Sequence, residues 1–382
     1  MHLAMIGTTA PSHIYPSLAV IAEMVQRGHR VTYAVGRSAA TIVEPSGAEI
    51  VSWESILPQG QDAWPDDPAA AMHVFLDETL AAFGTLTHFY DHDRPDLLLY
   101  DIGGLAAPVL GVRYGVPAVQ LSPAYVAWDG YADDLADIVG PLRSSAAGER
   151  YHAVYSEWLR GNGIDTDPWD WITYPEHCLS LIPRVMQPHA DRVGDHVQFV
   201  GPCLDPNRLA DRSWTPPAGT IVYVSFGTGF NEQPDFYRLC VQTFTDTDWH
   251  VVISVGHRVD PTDLGELPPN VEIHRHVPQL AVLDAASVFV THAGMGGCTE
   301  SLWFGVPTVA IPQAVDQFGN ADMLVELGVG AQLTMEEATM QTLLETVEGA
   351  LTLTHRAAEI SAEVRAHGGV TAAADAVERF LA

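Results

Sequence analysis

Short apolar runs alternate with stretches of helical period along this chain, and that alternation constrains the fold more than any other feature. Leu3–Gly7 is an apolar run. Ser17–Arg27 then sets Leu18, Ile21, Ala22 and Val25 on one helical face, with Pro16 near its start and Gly28 just past its end. Arg30–Val35 reads as the next strand, and Pro95–Asp101 and Pro117–Ser122 as further short strands bounded by turn residues. A helix between successive strands returns the chain to the same end of the sheet, so the strands run parallel and both faces are covered.

The pattern breaks once, in the polar, proline-punctuated stretch Asp205–Pro217, and then restarts. Thr220–Phe226, Trp249–Val255, Val271–Val277, Val288–Thr291 and Thr308–Ile311 read as strands, with helical patterns between or after them, including Asn320–Leu327. A chain of 382 residues is also too long for one ordinary core. The sequence therefore predicts two doubly wound α/β domains, 1–204 and 218–382, joined by a linker at 205–217. Facing each other, such domains place a cleft between the carboxyl ends of their strands, where open parallel sheets bind ligands.

Composition narrows the chemistry. A net charge of -30 disfavours nucleic acid and anionic membranes as partners, since both require a basic face. All 18 basic residues are arginine. Without lysine there is no Schiff base to pyridoxal phosphate and no Walker lysine, so a phosphorylated ligand must be met by arginine, histidine and backbone amides. The four cysteines, Cys178, Cys203, Cys240 and Cys298, form no CxxC pair, which predicts neither a disulfide framework nor a cysteine zinc site. No apolar run has the length of a membrane span, and the first residues read as a strand rather than a secretory leader, so a cytoplasmic protein is expected.

Several residues carry chemistry. His13 lies in the loop Gly7–Pro16, predicted between the first strand and first helix at the mouth of the sheet. An imidazole there accepts a proton near neutrality. The loop lacks GxGxxG, which argues against a dehydrogenase. Asp101 ends the apolar run Leu97–Tyr100, and a carboxylate at that place can orient a histidine and stabilise its imidazolium. In the second half, Val-Phe-Val-Thr-His292 passes through Ala-Gly294-Met-Gly296-Gly297 into a helix predicted to begin near Gly297. Glycines admit close backbone approach, and free amides at a helix start attract phosphate. His292 adds a donor for phosphate, Glu300 accepts ribose hydroxyls, and the adjacent Asp316 and Gln317 suit a polyol whose hydroxyls both donate and accept. Asp91-His-Asp93 and Asp246-Thr-Asp248 imitate a metal-binding DxD but lack its strand–loop context, so surface carboxylates are expected and no metal site.

Together these segments resemble the family-1, GT-B-fold glycosyltransferases. The resemblance runs through the His13 loop, Asp101, Ser225–Thr228, Val277-Pro-Gln279, His292–Glu300 and Asp316-Gln317. It is strongest to bacterial macrolide glycosyltransferases of the oleandomycin-inactivating type, through Arg27–Tyr33, Gln187–Val193 and Pro312–Asp322. It implies two Rossmann-like domains, the amino-terminal one for acceptor and the carboxy-terminal one for nucleotide-sugar donor, with the last helix a candidate to pack back on the first. His13 then matches the catalytic base and Asp101 its partner. Thr228, His276, Val277, Gln279, His292, Gly294, Gly296, Gly297, Glu300, Asp316 and Gln317 match the donor site. Trp64, Tyr125 and Trp128 lie in or near loops that can line an acceptor pocket, with aromatic packing as the competing role. Two departures stand out. His276 occupies a place where relatives usually stack a tryptophan on the base, which weakens the expectation of uridine, and Gly296 and Gly297 replace polar residues common in plant members.

The implied activity is inverting and independent of metal or other cofactor: a hexose, glucose from UDP-glucose, moves to a hydroxyl of an apolar macrolide, polyketide or phenolic acceptor. Antibiotic inactivation or tailoring is the expected role. A dTDP-deoxysugar transferase, a nucleotide-sugar epimerase and a two-lobed binding protein are the alternatives, and a homodimer is left open.

Overall fold

A computed structural model describes residues 1–58, 64–314 and 316–381. The chain divides into two compact units. Unit 1 holds Met1–Ile182, His189–Cys203 and Gly368–Ala382, and unit 2 holds Pro183–Pro188 and Leu204–His367. Among the described residues no helix is long and apolar enough to cross a membrane.

The sheet of unit 1 is built from β1 (His2–Ile6), β2 (Arg30–Gly36), β3 (Glu49–Trp53), β4 (Leu97–Tyr100), β5 (Ala118–Ser122), β6 (Cys178–Ser180) and β7 (Val197–Phe199). Its spatial order is β3-β2-β1-β4-β5-β6-β7, and the pairs are parallel. Every residue of β1 and β4 is buried, the signature of strands covered on both faces. Alternate side chains enter different cores. Leu3 and Met5 pack with Ile21 and Met24 of the helix Pro11–Gln26, whereas Ala4 and Ile6 pack with Leu86 and Tyr90 of the helix Pro68–Tyr90. The final helix, Gly369–Arg379, contributes Ala373, Ala376 and Val377 to the first of these cores, and Asp375 and Glu378 each accept a 2.7 Å bond from Arg27.

Unit 2 repeats the plan with β8 (Ile221–Ser225), β9 (His250–Ser254), β10 (Val271–His274), β11 (Val288–Thr291), β12 (Thr308–Ala310) and β13 (Gly330–Gln332), ordered β10-β9-β8-β11-β12-β13 and parallel. Both sheets are therefore doubly wound. After β3 the chain crosses to the far side of β1, and after β10 it crosses to the far side of β8. The order reverses between β1 and β4 and between β8 and β11, where such sheets leave a crevice at their carboxyl ends.

Three local expectations are revised. The first helix begins at Pro11, not Ser17, because proline at the first helical position has a suitable φ and no N–H to satisfy there. Pro16 is thus carried inside the helix, and His13 lies in its first turn rather than in a loop. The helix after His292 spans Met295–Phe304 with Gly294 as N-cap, so Gly296 and Gly297 are helical. Residues 205–217, expected to link two domains, are counted with unit 2: Asp205 caps the short helix Pro206–Leu209, and the Trp214 indole donates to Glu272 at 2.9 Å. Prolines there interrupt regular structure without freeing the chain from tertiary contacts. Asp91 and Asp93 form surface pairs with Arg113 and Arg30, each at 2.8 Å.

Candidate active site

At the β1/β4 reversal, the register sets Ile6 beside Tyr100, so the residues that follow each strand emerge side by side. Asp101 is the first residue past β4 and is 1% exposed. Its carboxylate accepts the Thr8 hydroxyl at 2.6 Å, the Gly103 N–H at 2.9 Å and the His13 ring at 3.0 and 3.1 Å. These donors offset the cost of burying the charge. With Nδ1–H given to Asp101, the basic lone pair of His13 is on Nε2. The imidazole side chain is 28% exposed, so a carboxylate shielded from water orients a ring that solvent and ligand can reach. This arrangement supports general-base chemistry at Nε2.

Unit 2 fills the matching place differently. His292 is the first residue past β11, and the neighbouring β8 leads into Gly227. Gly227 has φ +65°, and a Cβ there would lie 2.7 Å from His292 Cε1; one at Gly294 would lie 2.5 Å from Nε2. Glycine is thus required on both sides of the ring. Among the described residues no group partners the enclosed His292 Nδ1, and burial lowers the ring's pKa to about 4. His292 is neutral at physiological pH and offers hydrogen bonds rather than charge. The amides of the first turn of Met295–Phe304 begin beside it, capped by no side chain. Anion attraction at this turn therefore comes from backbone N–H groups and the helix dipole. The structure brings Gly227, His292 and Gly294 together and leaves Gly296 exposed and Gly297 half-buried. Thr228 follows Gly227 and is exposed, as is His276.

Other sequence-derived residues have tasks that the sequence does not reveal. Glu300, buried on the helix Met295–Phe304, pairs with Arg208 at 3.1 Å and accepts a short bond from the Gln279 amide. Gln279 in turn accepts the Tyr223 hydroxyl at 3.0 Å, so it anchors Glu300 to the core. Val277 is buried in the apolar cluster with Tyr223 and Phe289, so its side chain packs the core. Gln317 is 2% exposed, and its carbonyl oxygen takes the N–H groups of Gln313 and Ala314 at 2.8 and 3.2 Å. It shapes the turn before the helix Gln317–Glu326, while Asp316 remains exposed at that helix's start. Trp64 is half-buried against Phe75, with ring centroids 5.2 Å apart, and Tyr125 is half-buried. Trp128 is buried, with its N–H donated to Asp134 at 2.7 Å; there it packs the unit rather than lining an open surface.

Two further residues shape this region. Asn320 is fully buried and donates to the Ala293 carbonyl and to Asp316, each at 2.9 Å, tying the His292 turn to the start of the next helix. Its position four residues after Asp316 was the available signal. Arg208 sits in the stretch read as a linker, and no local pattern marks it as a partner of Glu300.

Comparison with known proteins covers the whole chain. An oleandomycin glycosyltransferase of Streptomyces antibioticus is 45% identical over 395 residues, spanning 100% of this chain and 91% of the relative. The crystal structure of the glycotransferase of kitacinnamycin superimposes with a TM-score of 0.91 at 40% identity, covering 100% of this chain and 99% of the other. The chain belongs to the GT-B glycosyltransferases.

The transferase is also 32% identical to an NDP-glycosyltransferase, YjiC, of Bacillus licheniformis, over 100% of its own length and 98% of the relative's. The calicheamicin glycosyltransferase CalG4 superimposes with a TM-score of 0.88 at 31% identity, covering 100% and 98% of the two chains. Residues 238–378 of the transferase match the erythromycin biosynthesis protein CIII-like C-terminal domain. That match takes in His292, Glu300 and Asp316, the residues grouped around the β11 reversal and the helices that follow it.

Proposed function

We propose that this glycosyltransferase moves glucose from UDP-glucose to a hydroxyl of a macrolide or a related polyketide or phenolic acceptor, with inversion and without a metal. The observation that carries the reading is the contact of His13 Nδ1 with buried Asp101 at 3.0 Å, which prepares Nε2 to take a proton. As the acceptor oxygen attacks the anomeric carbon, its proton passes to Nε2 and Asp101 stabilises the imidazolium. The bond from that carbon to the diphosphate breaks, and the electron pair leaves with the diphosphate. Attack opposite the leaving group converts an α-linked donor into a β-glycoside. Neutral His292, Thr228 and the amides of Met295, Gly296 and Gly297 hold the departing diphosphate, the role a metal fills elsewhere.

Glu300 is assigned to the ribose, Asp316 to the hexose, and Trp64 and Tyr125 to the acceptor. The relative named for oleandomycin supports an antibiotic acceptor, and hence inactivation or tailoring of such a compound in the cytoplasm. A dTDP-sugar donor is the second reading, favoured by His276 in the place where a base-stacking tryptophan is expected. The test offers labelled UDP-glucose and dTDP-glucose with a panel of aglycones, with and without chelator. Expected is β-linked product from UDP-glucose, unchanged by EDTA. Inertness toward every activated hexose, or a strict requirement for a divalent ion, overturns the proposal. Conversion of donor without acceptor favours an epimerase.

A further inference from the structure

Glu78 poses a question that the reaction above does not answer. It lies on the helix Pro68–Tyr90, is 5% exposed, and pairs with no cation among the described residues. Instead it gathers neutral donors from separate parts of unit 1. Its Oε1 accepts the Trp53 indole N–H at 2.7 Å and the Thr9 hydroxyl at 3.3 Å, and its Oε2 accepts the Ile56 N–H at 2.7 Å. A buried carboxylate without a cation is a costly way to fill a core, even with three donors. The space it faces, shared with Thr8, Phe75 and Gly103, is a cavity of about 20 Å³, room for a water and not for a substrate.

The partners give the carboxylate its purpose. Thr8 and Thr9 are consecutive; the first donates to Asp101 and the second to Glu78. Thr9 also accepts the Gly36 N–H at 3.0 Å, fixing it to the end of β2. Adjacent hydroxyls tied to two different carboxylates restrain this loop at both residues, and the loop leads directly into the helix that carries His13. We propose that Glu78 is a positioning residue for the His13–Asp101 pair, acting through Thr9 on the loop between β1 and the first helix. Chemistry explains why a carboxylate is used. The Trp53 and Ile56 N–H groups only donate, and the Thr9 lone pair facing Gly36 leaves its proton for Glu78, so three donors converge on two oxygens. A glutamine must turn its own NH2 toward one of them.

The inference rests on His13 being the base, and the experiment separates the two claims. Glu78→Gln, Thr9→Val, Thr9→Ser, the Glu78→Gln/Thr9→Val double variant and His13→Ala are compared for kcat, KM and UDP binding by calorimetry. Glu78→Gln and Thr9→Val are expected to lose about tenfold to a hundredfold in kcat, as for a slightly misplaced catalytic group, with UDP affinity unchanged. Thr9→Ser, which keeps the hydroxyl, retains wild-type kcat, and the double variant loses no more than the worse single one. Wild-type kcat in Glu78→Gln or in Thr9→Val, or fully additive losses, overturns the positioning role while an inactive His13→Ala leaves the base assignment intact. Should Glu78→Gln fail to fold, the Thr9→Val and Thr9→Ser pair decides, because Thr9 is only half-buried. Full turnover in His13→Ala sinks the base assignment itself.

Discussion

The two strand-order reversals of this molecule share a backbone plan and have opposite electrostatics. In unit 1 the residue after β4 is Asp101, a buried carboxylate that receives a histidine from the first turn of the helix Pro11–Gln26. In unit 2 the residue after β11 is His292, confined between Gly227 and Gly294 with its pKa lowered to about 4. The first arrangement sets a buried carboxylate against its imidazole, and the second leaves the ring to burial, which opposes protonation. A ring that must accept a proton needs a carboxylate, whereas a ring beside a diphosphate can serve as a neutral donor while helix amides supply the positive potential. On the proposed function, one supersecondary unit would serve two kinds of chemistry with a different residue at the strand end.

The sharpest way to break this contrast is to remove the base. His13→Ala is expected to lower kcat by about 10²- to 10⁴-fold, with UDP binding retained, in steady-state kinetics paired with calorimetry. Asp101→Asn should follow closely, because the ring loses both its orientation and its counter-charge. Comparable loss of UDP affinity in either variant would contradict a division of labour between the reversals.

A second effect lies in stability. Since the His292 pKa falls from 6.5 in an exposed chain to about 4 when folded, the unfolded chain binds the proton more readily. The contribution is fully present above about pH 6.5, is lost as pH falls toward about 4, and amounts to ~3 kcal/mol. Urea unfolding from pH 7.5 to 4.5 should show a steeper loss for wild type than for His292→Gln; equal slopes would falsify the neutral-ring assignment. Smaller again is Gly294→Ala. Its backbone, at φ -64° and ψ 143°, suits alanine, so an expected ~10-fold loss of UDP affinity isolates the contact with the ring. Undiminished affinity would show that the ring does not set the phosphate site. Smallest is Arg208→Gln. If Glu300 takes ribose hydroxyls, freeing it from a half-exposed arginine should tighten uridine binding by about two- to fivefold, as for a partly solvated ion pair. Weaker binding would make Arg208 a contact for the nucleotide.

Much of this was readable before any coordinates. β11 spans the predicted Val288–Thr291, and the other quoted strands differ by a few residues at their ends. Pro16 imitates a starting residue in the sequence, while Pro11 is the one that starts the first helix. Asp316 and Gln317 stand side by side in the sequence, and folding turns the Gln317 amide oxygen back onto Gln313 and Ala314. Asn320 carries only the faint signature of standing four residues after Asp316, and Glu78 carries none, since its donors reach it from distant parts of the chain.

Periodicity and strand-end residue types by themselves determined the two doubly wound sheets and placed His13, Asp101 and His292 at their mouths, because burial of a strand or helix face is written in the spacing of neighbouring residues. Only the tertiary structure decided that His13 meets Asp101 across 88 positions, that His292 is enclosed and neutral, and that Arg208 pairs with Glu300. A protonation state or a hydrogen-bond partner depends on the distance and solvent exposure of groups far apart in the chain, and no local pattern encodes those.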